Sequence, residues 1–188
     1  MKYTRVSIAE RYNAGEKMNI IAFWEHTSHP NQITKACLSQ WYDCHFEVDG
    51  IQYHTAEQYM MAQKAALMGD IPAYEAIMAA AHPKEYKALG RKVQHFDSEL
   101  WDQKKYNLVL QGNLAKFSQN AELSAFLDST GASVLVEGSP YDGIWGVKLS
   151  IDDTRINDPN AWQGENLLGF ALMEARDVLR ERNQSRTE

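Results

Sequence analysis

The residues Glu57, Met61 and Lys64 fall at i, i+4 and i+7 of the stretch Thr55–Lys64, so on a helix a carboxylate, an apolar side chain and an amine share one face. A carboxylate in a first helical turn sits where the macrodipole favours negative charge. Glu57 can thus be read as helix-start chemistry with Lys64 as a surface charge. The apolar Met61 between them also allows a partly buried charged pair, and such pairs are seldom kept for stability alone. A second carboxylate, Asp142, lies in the turn-rich segment Ser139–Gly146, directly after a short apolar run. Asp-Gly is an Asx-turn signal, but loops held by a rigid scaffold are also where reactive groups gather. Two carboxyl groups in one site would supply general acid–base chemistry. Trp101 follows Asp97-Ser-Glu-Leu, with Arg91-Lys92 upstream. At helical spacing from Leu108 it reads as a core residue, and its indole is equally able to stack on a heteroaromatic ring.

Other chemistries find little support. The six histidines stand at no metal-ligand spacing, C-x-x-C and H-E-x-x-H are absent, and the residues are expected to hold no metal. Neither a Gly-x-Gly-x-x-Gly turn nor a Walker loop is present, and no cofactor is expected. Lys and Arg number 19 against 25 Asp and Glu, and a net charge of −6 disfavours a broad grip on a phosphate backbone. Cys37 and Cys44 read as reduced thiols of a cytoplasmic protein. The first ten residues hold no apolar signal core, and no run approaches the roughly 20 apolar residues of a membrane span. Oligomeric state is not encoded in any of these features.

The elements that must position these groups can be read from caps, turns and periodicity. Asn19–Trp24 is a short apolar strand, followed by a polar segment from His26 to Gln40 that holds Pro30. From Tyr42 to Val48 apolar and polar residues alternate, Asp49-Gly50 marks a hairpin, and Ile51–Tyr53 returns. Thr55-Ala-Glu-Gln58 is a capping box that predicts a helix from Ala56 to Met68, stopped by Gly69. Asp70 and Pro72 start a helix ending near Ala81; Lys84–Leu89 is a short helix closed by Gly90. Asp97 or Ser98 caps a longer helix to about Phe117, with Leu100, Trp101, Leu108 and Leu114 inward. Ala121–Ser129 is helical, Val134–Glu137 is a buried strand, and a last helix from Glu165 to Arg182 buries Leu167, Leu168, Ala171, Leu172, Ala175, Val178 and Leu179. The class is α+β, a helix-rich single domain with a few short strands. Its expected bounds are 19–182, with an N-terminal extension at 1–18 and a C-terminal tail at 183–188.

Seven blocks in order carry a resemblance: Glu57-Gln-Tyr-Met-Met-Ala-Gln-Lys-Ala65, Leu89-Gly-Arg-Lys-Val-Gln-His-Phe-Asp97, Trp101, Gly112-Asn-Leu-Ala-Lys-Phe117, Leu135-Val-Glu-Gly-Ser-Pro140, Asp142-Gly-Ile-Trp-Gly146 and Trp162-Gln-Gly-Glu-Asn-Leu-Leu-Gly169. Together they resemble the NADAR family, also called YbiA-like, over residues 19–180. The resemblance implies a YbiA-like fold and an N-glycosidase that hydrolyses a ribose–nitrogen bond. Substrates in the family include riboflavin-pathway ribosylaminopyrimidines and ADP-ribosylated guanine. The alternative is a non-catalytic module that binds ADP-ribose or NAD. By position, the essential groups are Glu57, Trp101 and Asp142, with Lys64 in the pocket as a third catalytic group. Trp24, Trp41, Tyr59, Arg91, Trp145 and Asn166 complete the expected substrate-binding set. The implied partner is a small nucleotide-like molecule with a ribosyl phosphate or ADP-ribosyl group, or an ADP-ribosylated nucleic acid held by local contacts, and no membrane.

That chemistry suits the residues. Breaking C1′–N builds oxocarbenium character that a carboxylate stabilises, while the departing nitrogen takes a proton from a second carboxyl. Which of Glu57 and Asp142 plays which part stays open. Lys64 either holds Glu57 ionised or adds to an opened ribose aldehyde. The chain departs from the family at Gln40, where members often carry Asn, and at Lys148, where many continue with glycine. Lys148 either favours a phosphate or is simply exposed.

Overall fold

Caps and turns decide where the elements begin. The computed structural model describes residues 1–27 and 32–185, so Pro30 and the end of the C-terminal tail lie outside the described residues. The helices are α1 (Arg5–Asn13), α2 (Ala56–Leu67), α3 (Ile71–Ala79), α4 (Pro83–Gly90), α5 (Ser98–Gln119), α6 (Ala121–Ser129) and α7 (Leu167–Gln184). The strands are β1 (Ile20–Phe23), β2 (Phe46–Val48), β3 (Ile51–Tyr53) and β4 (Val134–Glu137). Short 3-10 turns at Lys35–Leu38, Thr154–Asn157 and Pro159–Ala161 complete a helix-rich α+β chain. No helix among the described residues is long and apolar enough to cross a membrane. The chain divides into two compact units, Met1–Ser39 with Glu122–Glu188, and Gln40–Ala121.

In the first unit, β1 and β4 pair in parallel, from Ile20 opposite Val134 to Phe23 opposite Glu137. β4 is a continuous apolar run because both its faces are covered: Val134, Leu135 and Val136 are all buried. Helix α7 packs on it, and a side chain at Gly169 would collide with the Leu135 carbonyl, so glycine here permits close approach. The segment read as an extension holds α1, which sequence analysis did not predict. Thr4 and Ser7 form a reciprocal capping box at its start, and Ile8 is fully buried. The last helix starts at Leu167 rather than Glu165, because Asn166 is in the left-handed region at φ 56°. Its inward face is also rotated from the expected one: Leu167, Val178 and Leu179 are only half-buried, while Phe170, Met173 and Arg176 are buried. Arg176 donates to Thr130 Oγ1 and the Ser133 carbonyl, which lets a cation occupy a core position.

In the second unit, β2 and β3 form an antiparallel hairpin whose turn places Asp49 and Gly50 at φ 52° and 79°. The alternation extends beyond the paired residues. Tyr42, Cys44 and Phe46 are buried and Asp43, His45 and Glu47 exposed, with Cys44 N–H donating to the His54 carbonyl. Thr55 caps α2 by accepting from Gln58 N–H. The return arm of the expected capping box is shifted by one residue, since the Gln58 side chain accepts from His54 N–H and also donates to the Ile77 carbonyl. Asp70 caps α3 through Ala73 N–H and takes Gln94 N–H on its other oxygen.

Two expectations for this unit are corrected. Gly90 is not a stop after α4 but its last helical residue, and it is glycine because Met61 of α2 occupies the space a side chain would need. Helix α5 buries Tyr106, Val109, Leu110, Gly112, Asn113, Leu114, Lys116 and Phe117. Leu100, Trp101 and Leu108 are only half-buried, so the core-facing part of α5 is its second half. The reason is the seat of α2, whose Tyr59 ring lies against Gly112 so closely that a Cβ there would fall 2.5 Å from Tyr59 Cδ1.

Candidate functional site

The second unit brings several of the expected groups onto one framework. Glu57 lies in the first turn of α2 and is 4% exposed. Its N–H, one of the helix-start donors that need a partner, donates to the Gln40 carbonyl at 2.9 Å. The Gln40 side chain in turn donates to Asn113 Oδ1 at 3.1 Å, and Asn113 donates to the Val109 carbonyl at 2.9 Å. Asn113 is fully buried and Gln40 nearly so. Gln40 therefore faces α5, and it positions the start of α2.

Lys64 stands two turns further along α2, about 10 Å down the axis at the helical rise. Its Nζ donates to the Gly90 carbonyl at 2.7 Å and lies 4.3 Å from the centre of the Phe96 ring and 5.8 Å from that of Trp101. Burial lowers its pKa from the ordinary lysine value. Trp101 is half-buried in the first turn of α5, capped by Asp97, so α2 and α5 together bring Lys64 and Trp101 within reach of each other.

The other expected residues of this unit are placed differently. Tyr59 is 3% exposed and packs in an aromatic cluster with Tyr53 at 5.1 Å and Phe46 at 6.2 Å. Burial raises its phenol pKa. Trp41 is half-buried with Lys87 Nζ 5.8 Å from its ring, and Arg91 is an exposed residue at the C-terminus of α4.

In the first unit, Asp142 Oδ1 accepts from Ile144 N–H at 2.9 Å and Trp145 N–H at 2.8 Å, the bonds of an Asx turn. The same turn is tied to the start of α7, where Asn166 N–H donates to the Gly146 carbonyl and Leu168 N–H to that of Trp145. The fully buried Asn166 amide is committed to β4, donating to the Leu135 carbonyl and accepting from Glu137 N–H. Its place is that of a brace for the turn. Trp145 is half-buried and Trp24, just after β1, is 45% exposed. Lys148 is exposed and sits at φ 57°, in the left-handed region that glycine enters without steric cost.

Sequence reasoning did not find Lys116, whose side chain is fully buried with Nζ 5.6 Å from the Tyr42 ring centre and 5.2 Å from that of Phe117. Burial raises the Cys44 thiol pKa, and the Lys116 charge partly offsets that rise. The signal was available: Val109, Asn113 and Lys116 share a helical face, so polar residues were standing at core positions. Phe96 and the Gln40–Asn113 pair were also missed. No group of three or more His, Cys, Asp or Glu among the described residues is arranged to hold a metal ion.

Comparison with known proteins agrees with this architecture. A family model described as NADAR domain matches residues 22–180. An N-glycosidase of Acanthamoeba polyphaga mimivirus is 41% identical over 158 residues, covering 81% of this chain and 92% of that protein. The N-glycosidase YbiA of Escherichia coli is 32% identical over 133 residues, covering 71% and 74%. The NMR structure of E. coli YbiA superposes with a TM-score of 0.72 at 27% identity, over 90% of this chain and 89% of that one.

Proposed function

This chain belongs to the NADAR family and is a hydrolase of N-glycosyl bonds, and from that premise we propose that it cleaves a ribose–nitrogen bond in a nucleotide-like substrate. The substrate class is a riboflavin-pathway ribosylaminopyrimidine or an ADP-ribosylated guanine. The observation that carries the reading is the arrangement along α2. A carboxylate only 4% exposed stands at the helix start, and two turns on an amine lies 5.8 Å from an indole.

Each group then has work suited to its surroundings. Glu57 is held at the positive end of the α2 dipole, where an anion is favoured. It opposes the positive charge that develops on the ribose as the C1′–N bond breaks. Asp142 keeps the role of second carboxyl group that its sequence block implies, and the pH profiles of base release by the wild type and by Asp142→Asn assign the proton donor. Trp101 stacks on the base. Lys64, whose pKa burial lowers, adds as the free amine to C1′ of a ring-opened substrate still bearing its base. The C1′–N bond to the base breaks as the Schiff base to Lys64 forms, a proton passing from the lysine nitrogen to the departing one, and water then hydrolyses the Schiff base to return the amine. A cytoplasmic setting accompanies this reading, in keeping with two buried thiols, Cys37 and Cys44.

The test is base release from a panel of ribosylaminopyrimidine 5′-phosphates, NAD, ADP-ribose and ADP-ribosylated guanine. Glu57→Gln is expected to abolish release while the far-UV spectrum and melting transition survive. A folded Glu57→Gln protein with wild-type turnover would remove Glu57 from the mechanism.

A further inference from the structure

The loop between α4 and α5 is pinned at several points. The Gly90 carbonyl accepts from Lys64, Val93 is buried, Gln94 N–H donates to Asp70, and Asp97 both caps α5 and donates its N–H to Met68 Sδ. Between these anchors His95 adopts φ 54°, in the left-handed region. Phe96 follows it and is 45% exposed, in a segment whose neighbours are tied down.

A hydrophobic residue just before a helix cap ordinarily packs on the fourth residue of the helix, which here is Trp101. The structure shows something else. Lys64 Nζ lies over both rings, 4.3 Å from the Phe96 centre and 5.8 Å from the Trp101 centre. Neither ring is stacked on another aromatic side chain among the described residues. Phe96, 45% exposed, and the half-buried Trp101 thus both keep ring surface open to solvent beside the same amine. Water solvates such aromatic surface poorly, and a planar ring can stack on it.

We propose that Phe96 is a second aromatic wall of the substrate site, working with Trp101 across Lys64 to select a planar heteroaromatic leaving group over an aliphatic amine. This inference rests on the N-glycosidase reading for its substrate, and its test separates the two. With a ribosylaminopyrimidine 5′-phosphate as substrate, Phe96→Ala is expected to raise KM about tenfold, the scale of one lost stacking partner, with kcat changing less than threefold. Phe96→Tyr, which keeps the ring, is expected to restore KM. In the Glu57→Gln background, tryptophan fluorescence would follow binding of GMP and of ribose 5-phosphate. Phe96→Ala is expected to weaken GMP about tenfold and leave ribose 5-phosphate unchanged.

An unchanged KM together with unchanged GMP affinity overturns the inference. So does an equal loss for GMP and ribose 5-phosphate, or a fall in melting temperature that Phe96→Tyr rescues while KM never moves, since that marks an ordinary helix staple. If the wild-type protein releases no base yet GMP binding depends on Phe96, the aromatic wall stands and the hydrolase reading falls.

Discussion

The Gln40 carbonyl accepts the Glu57 N–H at 2.9 Å, while the Gln40 side chain reaches Asn113 on α5. The candidate catalytic carboxylate is therefore positioned through the chain that precedes it, by a buried amide on another helix. Asn113→Leu keeps the branched shape and removes both side-chain hydrogen bonds, leaving the buried Gln40 amide without its acceptor while the Val109 carbonyl keeps its helical N–H partner. It should cost about 1–3 kcal/mol of stability and lower kcat while KM changes little. Thermal melts and single-turnover base release on the same preparation check both parts, and an unaltered kcat would show that Glu57 does not depend on this support.

Lys64 supplies a dependence on pH. Its pKa is lowered by burial, so the charged form is disfavoured in the folded chain relative to the unfolded one. The destabilisation is present at neutral pH and is relieved as pH rises through the folded pKa toward the ordinary lysine value. The stability gap between wild type and Lys64→Met should shrink over that alkaline range. If the neutral amine is the reacting form, base release should rise along a limb with an apparent pKa below 10.5. Lys64→Arg should flatten that limb, and an identical profile in the variant would exclude the amine from the rate-determining step.

Asp70 has the opposite dependence. Its carboxylate accepts Gln94 and Ala73 N–H groups, which lower its pKa below the ordinary aspartate value of 3.8. A depressed folded pKa contributes stability above the unfolded value, and that contribution is lost as pH falls through the folded one. Urea midpoints of wild type and Asp70→Asn should converge as pH falls below 3.8 and differ most at neutral pH. A gap independent of pH would mean that the ionised form contributes nothing.

Gly169 is the close-approach point of α7 on β4. The obstacle to a methyl group is the Leu135 carbonyl, a backbone atom that cannot rotate away. Gly169→Ala should destabilise by about 3 kcal/mol, at the upper end of the usual cost of overpacking, despite the better helix propensity of alanine. Chemical denaturation of the two proteins decides this, and a more stable variant would show that α7 can shift.

Much of the local organisation was legible because its chemistry is local. Thr55 and Asp70 bond to N–H groups three residues on, Asp49-Gly50 carries its own turn, and Glu57 and Lys64 share a helical face by spacing alone. What a face packs against is not local. Of the expected inward residues of α5, Leu114 is buried but Leu100, Trp101 and Leu108 are not, because Gly112, seated under Tyr59, draws the second half of the helix into the core. Gly90 looked like a helix stop, and only Met61 shows that it is a gap left for a neighbour.

The same division runs through the candidate site. Residue types and helical period placed a carboxylate and an amine on α2, and the sequence blocks singled out Trp101 and Asp142. Only the tertiary structure decided that Phe96 stands over Lys64, that Asn166 braces β4, and that Gln40 leans on Asn113. Short-range rules act over three or four residues, whereas these contacts join positions 29 to 73 apart, such as Asn166 with Glu137 and Gln40 with Asn113. Such contacts exist only once packing has chosen which surfaces meet.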